Sequence, residues 1–362
     1  MKKQAVAKVA RMRLKVLGAS ALTVLLAACG DHPPKEDPDD TPDPQPQPAA
    51  ITLVAGDATA AGSIDATGAA ARFRNPHGIA VDSAGNLYVA DRSNFTVRKI
   101  TPADVVTTLA GSAGNSEFVN GVGGGARFTN PLALAIGPNN ILYVSDNRLI
   151  RRVGTAAQVD TFAEIPRGNN VDSRSAILLD IGGIAVDSRG DLLVTNGHST
   201  RRLTQNGATT MLEGEQVLNN VSGTRLFMQR GVAVDANNNV YVHTLERMVS
   251  KTNGSNTLSQ LAGSPNQRGY ADGTATAARF EDVVALTVDP QGNVYAADNI
   301  NNMIRQITPA GVVTTFAGTL KASTLTTGAL PGSLPNIRGL TTDGKGSLYA
   351  TTGNAIIKIR LP

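Results

Sequence analysis

Few residues in this chain carry metal or nucleophilic chemistry. It has one cysteine, Cys29, no tryptophan, and four histidines, His32, His77, His198 and His243. A zinc site needs three or four converging His, Cys, Asp or Glu ligands. His77 lies before a predicted inner strand. His198 and His243 lie at or beyond the end of a predicted second strand. Such positions fall in different radial layers, so no metal ligand set, no cofactor and no catalytic residue is expected. Of the seven glutamates only Glu281 lies close to the start of an inner strand. A different chemistry is written at one recurring position, the residue just before each inner strand: His77, Leu132, Gly182, Arg230, Val284 and Arg338. Asn75, Asn130, Asp180 and Asn336 precede it, with Asp282 close by. Two guanidiniums and an imidazole around one opening have the chemistry of an anion site, because guanidinium matches carboxylate or phosphate in bidentate fashion. His77, Arg230, Arg338, Asn75 and Asn336 are therefore the candidate ligand-binding residues.

These positions derive from a repeat of about 50 residues. A tyrosine-centred segment recurs: Leu87-Tyr88-Val89-Ala90-Asp91, Leu142-Tyr143-Val144-Ser145-Asp146, and Val294-Tyr295-Ala296-Ala297-Asp298, with variants around Leu193, Tyr241 and Tyr349. Each repeat reads as four short strands, A to D. In the first, A is Gly78–Asp82, B is Leu87–Ala90, C is Thr96–Ile100 and D is Val105–Ala110. All are rich in β-branched residues and bounded by Gly, Asn, Asp or Pro. Four-stranded units repeated six times predict an all-β, six-bladed β-propeller over residues 51–362. The sixth repeat reaches only its strand C, Ile356–Ile359. The segment Ile51–Gly56 matches strand D of the other repeats, so the N-terminal strand is expected to close the last blade and remove the open edges. Asp82, Asp187, Asp235, Asp289 and Asp343 recur at strand-A ends, and a residue repeated in blade after blade reads as a turn anchor. Asp91, Asp146 and Asp298 take the same structural reading.

The repeat resembles the NHL family. The resemblance lies in Ala71-Arg72-Phe73-Arg74-Asn75-Pro76-His77-Gly78-Ile79-Ala80-Val81-Asp82, the Tyr-Val-Ala-Asp strand, Asn94, and Val97-Arg98-Lys99-Ile100. Repeats two and five carry it well, with Ala126-Arg127-Phe128 and Ala278-Arg279-Phe280; repeats three and four are degenerate. The resemblance implies the propeller fold and leaves activity open, since NHL propellers include enzymes, sensors and binding modules. NHL-like amidating lyases place several histidines in the central cavity, a pattern from which this chain departs. Lactonases of the related six-bladed type use a Glu with Asn and Asp around the axis.

The charge is unevenly spread. The net +4 contains six basic residues and no acid within residues 1–28. There a basic segment precedes the apolar run Val16–Ala28, too short to cross a bilayer but matching a signal sequence. Leu26-Ala27-Ala28-Cys29 resembles the lipobox of bacterial lipoproteins, which implies cleavage before Cys29 and its lipidation. Gly30 after the cysteine favours the outer membrane by the same resemblance. Residues 29–50 are rich in proline and acid and read as an extended tether, on the order of 60 Å long. The remaining propeller is nearly neutral. Its aromatics are mostly used in the repeat, leaving Phe95, Phe118 and Tyr270 free, so no nucleic-acid partner is expected. The expected function is a lipid-anchored, non-enzymatic scaffold in a bacterial envelope, on its periplasmic or surface face, binding a protein, peptide or glycan. The alternative is a metal-assisted hydrolase or lyase at the channel mouth.

Overall fold

The computed structural model describes residues 48–165, 180–196, 199–212, 230–244, 247–252, 257–265 and 267–361. Cys29, the signal segment, most of the tether, His32, His198 and Phe227 lie outside these residues.

Six antiparallel sheets radiate from one axis. Blade 1 runs outward through Pro76–Val81, Leu87–Asp91, Thr96–Ile100 and Val106–Gly111. Blade 2 runs through Pro131–Ile136, Leu142–Asp146, Leu149–Val153 and Gln158–Glu164, and blade 3 through Gly183–Val186, Leu192–Asn196, Ser199–Leu203 and Thr209–Met211. Blade 4 comprises Val232–Val234, Val240–His243, Met248–Thr252 and Leu258–Gly263, and blade 5 Val283–Val288, Val294–Asp298, Met303–Ile307 and Val312–Ala317. Blade 6 is Ile337–Thr342, Ser347–Thr352 and Ala355–Arg360, completed by the N-terminal strand Ala50–Gly56. The closure pairs Ile51 with Ile359 and Leu53 with Ile357. Each inner strand packs on the inner strands of both neighbouring blades, so the ring is continuous. The degenerate repeats three and four still form blades, with inner strands of only 4 and 3 residues. Blades 2, 5 and 6 each gain a two-residue fifth strand at the outer edge, at Gly121–Val122, Gly273–Thr274 and Gly328–Ala329.

The recurring residues explain how each blade is made. Asp82 accepts hydrogen bonds from the Ala84 and Asn86 amides, from Asn86 Nδ2 and from the Tyr88 hydroxyl. Asp235 and Asp289 are bonded by their own Asn and Tyr in the same way. The A–B turn thus closes on a carboxylate, and Gly85 at φ 84° supplies the left-handed residue it requires. In blades 1, 2 and 5 a buried arginine of strand C meets the aspartate that ends strand B. Arg98 Nη1 lies 2.9 Å from Asp91, Arg151 Nη1 3.2 Å from Asp146, and Arg305 Nη1 3.7 Å from Asp298. The same guanidiniums lie over Phe73, Phe128 and Phe280 and bond backbone carbonyls of the preceding loop. Burial pushes the Asp91 carboxyl up to about 6, against the opposing bonds from Asn94, the Arg74 amide and Arg98. Phe118, expected to be free, packs over the Arg151 guanidinium at 4.5 Å.

The inner strands approach one another too closely for side chains at some positions. A Cβ on Gly78 would meet the Leu132 carbonyl oxygen at 2.6 Å, and one on Gly183 or Gly339 would collide with the Arg230 or His77 carbonyl. This narrow ring sets the width of the axial channel.

Candidate functional site at the channel mouth

The inner strand of blade 1 begins at Pro76, two residues earlier than its sequence suggests. His77 therefore sits within the strand, where pairing is irregular between Pro76 and Ile79. The irregularity is held in place from blade 6: Thr351 Oγ1 accepts from the Gly339 amide at 2.8 Å and donates to the His77 carbonyl at 2.8 Å. Thr195 of blade 3 donates to the Arg230 carbonyl at 3.4 Å in the corresponding place. Strand-B hydroxyls thus fix the backbone of two candidate residues across blade boundaries.

His77, Leu132, Gly182, Arg230, Val284 and Arg338 line one cavity of about 60 Å³ on the axis. Beneath them lies a ring of aliphatic residues, Ile79, Leu134, Ile184, Val232, Leu286 and Leu340, one from each blade, each exposed by 7 % or less. The same ring borders a second cavity of about 270 Å³ that continues along the channel. The six-residue ring read from the repeat therefore exists, with two arginines and the histidine in it.

Asn75 and Asn336 do not line this cavity. Both adopt left-handed backbone conformations, at φ 55° and 54°. Their amides donate to Asn354 Oδ1 and Asn302 Oδ1, each at 2.9 Å. They are corner residues that turn the chain into the inner strand, each tied to a neighbouring segment.

Arg92 is a site residue that sequence reasoning missed. It follows strand B of blade 1, in the short turn Arg92–Asn94. Because Pro76 pairs with Asp91, the residue after Asp91 returns to the start of the inner strand. Its Nη1 lies 3.4 Å from His77 Nε2, and its Nε donates to Asn130 Oδ1 at 2.7 Å. The corresponding positions of the other repeats hold Asn147, Gly197, Leu245, Asn299 and Gly353, so Arg92 is the single cation of that column. Applying the hairpin register to the repeat would have revealed it.

Burial and then the charges of Arg92, Arg338 and Arg230 hold His77 well below the usual imidazole value, so it is neutral at pH 7. A guanidinium only donates, so His77 Nε2 accepts from Arg92 and the ring proton resides on Nδ1. Burial followed by the charges of Arg92 and Arg230 lowers Arg338; burial and Arg230 lower Arg92, opposed by Asp180. Two carboxylates balance part of this charge. Asp180 faces Arg92 and receives Asn130 Nδ2 at 3.3 Å, while Asp282 faces Arg230 and Arg247. Burial raises both acids.

Arg230 Nε is buried and has no hydrogen-bond partner among the described residues. His243 lies apart from this site, wholly buried in strand B of blade 4. Glu281 is bonded by Arg268 at 3.4 Å. Among the described residues no three or more His, Cys, Asp or Glu gather as a metal ion would require.

Residues 73–100, from the loop before blade 1 through its third strand, match the NHL repeat. The chain is a six-bladed propeller that carries an NHL repeat. It is 36% identical over 95 residues to the Arabidopsis thaliana protein SUPPRESSOR OF QUENCHING 1, chloroplastic, a match covering 25% of this chain and 9% of the relative. The chain spans about a tenth of the length of the curated relatives it matches. Among solved structures, the propeller superposes on a Bacteroides thetaiotaomicron VPI-5482 structural genomics protein of unknown function. The TM-score is 0.69 at 20% identity, over 86% of this chain and 76% of the other. An auxiliary nutrient binding protein from the same organism gives a TM-score of 0.65 at 14% identity, again over 86% and 76%. At these identities the likeness is one of fold.

Proposed function

We propose that this NHL-repeat propeller is a non-enzymatic binding module of a bacterial envelope, anchored through a lipidated Cys29 and binding its ligand at the channel mouth. The observation that carries the binding role is Arg230, whose buried guanidinium Nε has no partner among the described residues, at a cavity shared by all six blades. A buried polar group left unbonded costs about 1–3 kcal/mol, which an incoming acceptor removes. The nutrient-binding description of one structural neighbour agrees with this role. Ligands consistent with it are a peptide, a glycan or a segment of another protein. The purified full-length protein should retain bound ligand that mass spectrometry recovers at its original mass; recovery of a cleaved or rearranged product would overturn the binding role in favour of catalysis. Labelling of cells with an alkyne fatty acid should tag the wild type and leave Cys29→Ala untagged; equal labelling would remove the anchor.

A further inference from the structure

We propose that the channel mouth is a carboxylate site, in which Arg92, Arg230 and Arg338 together receive one monoanionic group on the propeller axis. The inference rests on the binding role above and specifies its ligand.

Three observations support it. The first is convergence: two of these arginines line the axial cavity, and the third reaches His77, which lines it as well. The second is the limited bonding of these guanidiniums. Among the described residues, Arg338 makes only a long contact, 3.5 Å, from Nη1 to the Gly353 carbonyl, and the Arg230 side chain makes no hydrogen bond. A buried donor left without a partner gains from an incoming acceptor. The third is electrostatic. After burial, Arg92 and Arg230 depress Arg338, and Arg230 depresses Arg92, while His77 adds no charge because burial and its cationic neighbours keep it neutral. An anion placed among the three guanidiniums relieves that mutual repulsion.

The geometry also sets size and depth. A cavity of about 60 Å³ holds about four water-sized groups, enough for a carboxylate and the atoms beside it. The aliphatic ring of Ile79, Leu134, Ile184, Val232, Leu286 and Leu340 forms its floor. Its apolar side chains lower the local dielectric, which strengthens charge-assisted bonds made above it.

Calorimetry on the full-length protein, solubilised in a non-ionic detergent, tests this with acetate, D-galacturonate, D-galactose and inorganic phosphate. Acetate and galacturonate should bind and galactose should not. Arg92→Gln, Arg230→Gln and Arg338→Gln should each weaken the carboxylates by about 10-fold or more. Arg230→Lys, which keeps the charge and loses the paired donors, should recover part of that loss. Unaltered melting curves will show that the variants remain folded. A further measurement needs no variant: the Arg230 Nε–Hε resonance should shift on adding acetate and stay fixed on adding galactose. Phosphate binding more tightly than both carboxylates, carboxylate affinity unchanged in all three glutamine variants, or an Arg230 resonance indifferent to acetate would overturn the proposal. Retention of an uncharged ligand in those circumstances would leave the binding role standing, which separates the two failures.

Discussion

Arg98→Met is the sharpest probe of what holds the blades. Arg98 and Asp91 have side chains 1% and 0% exposed, with Nη1 to Oδ2 at 2.9 Å. The guanidinium also bonds the Arg72 and Ile64 carbonyls and Asp65, so one side chain ties strand C to strand B and to the loop entering the blade. Methionine occupies similar volume but leaves a buried carboxylate without its counter-charge and the Arg72 carbonyl without that donor, whereas the Ile64 carbonyl keeps the Arg72 amide. Breaking a buried pair on one side costs about 3–5 kcal/mol. The same substitution at Arg305 should cost less. At an effective dielectric of about 20, the attraction is roughly 6 kcal/mol at 2.9 Å and 4.5 kcal/mol at 3.7 Å, a difference of about 1 kcal/mol before desolvation is counted. Urea unfolding followed by circular dichroism and tyrosine emission measures both. Combining Arg98→Met with Asp91→Asn should recover part of the loss, because the buried charge is gone. A single-variant cost below about 1 kcal/mol, or a double variant as damaged as the sum of its parts, would refute the view that the pair is a buried electrostatic clamp.

Three other outcomes are expected. Gly183→Ala should cost about 1–3 kcal/mol, since its Cβ would collide with the Arg230 carbonyl and meet Thr195 Oγ1 at 2.9 Å; ligand affinity at the mouth should fall with it, and calorimetry reads both. His243, pushed down to about 3 by burial and then by Arg247, gains a proton below pH 6.5 only when unfolded, so stability rises with pH between about 3 and 6.5 and is complete above. His243→Leu should therefore lose about 2 kcal/mol less than wild type on going from pH 7 to pH 5 in urea unfolding, and parallel pH profiles would contradict the burial of a neutral ring. Ile51→Ala, at a position 1% exposed, should cost about 2–5 kcal/mol and should accelerate amide exchange first in Ala355–Arg360, the strand it faces.

Much of the fold was legible because each blade repeats the same solution. Asp82, Gly85 and Tyr88 mark a turn whose chemistry is local, and local chemistry survives in sequence. The closure was legible because the segment from Ile51 matches an outer strand and the sixth repeat lacks one. The site was legible only along one column of the repeat. His77, Arg230 and Arg338 share that column, whereas Arg92 arrives from the next strand through the Pro76–Asp91 pairing, which no linear spacing displays. Asn75 and Asn336 lie outside the cavity lining for a related reason. Asparagine serves equally as a ligand-facing amide and as the residue that tolerates a left-handed corner, and both take such a corner here. The electrostatic role of Asp180 and Asp282 also emerges only in three dimensions, where each faces an arginine from another blade or loop.

The strand that completes blade 6 has a consequence for biogenesis. Thr52 and Lys358 are 306 positions apart, yet they are neighbours in one sheet. At about 5–20 residues per second, a ribosome needs on the order of 15–60 s to supply the partner of a strand it has already made. For that interval the row of amides and carbonyls on Ala50–Gly56 lacks its partner strand Ala355–Arg360 and is a template for wrong pairing. A nascent chain in this state is a client for a holding chaperone, and the ring closes as a late, non-local and correspondingly slow event.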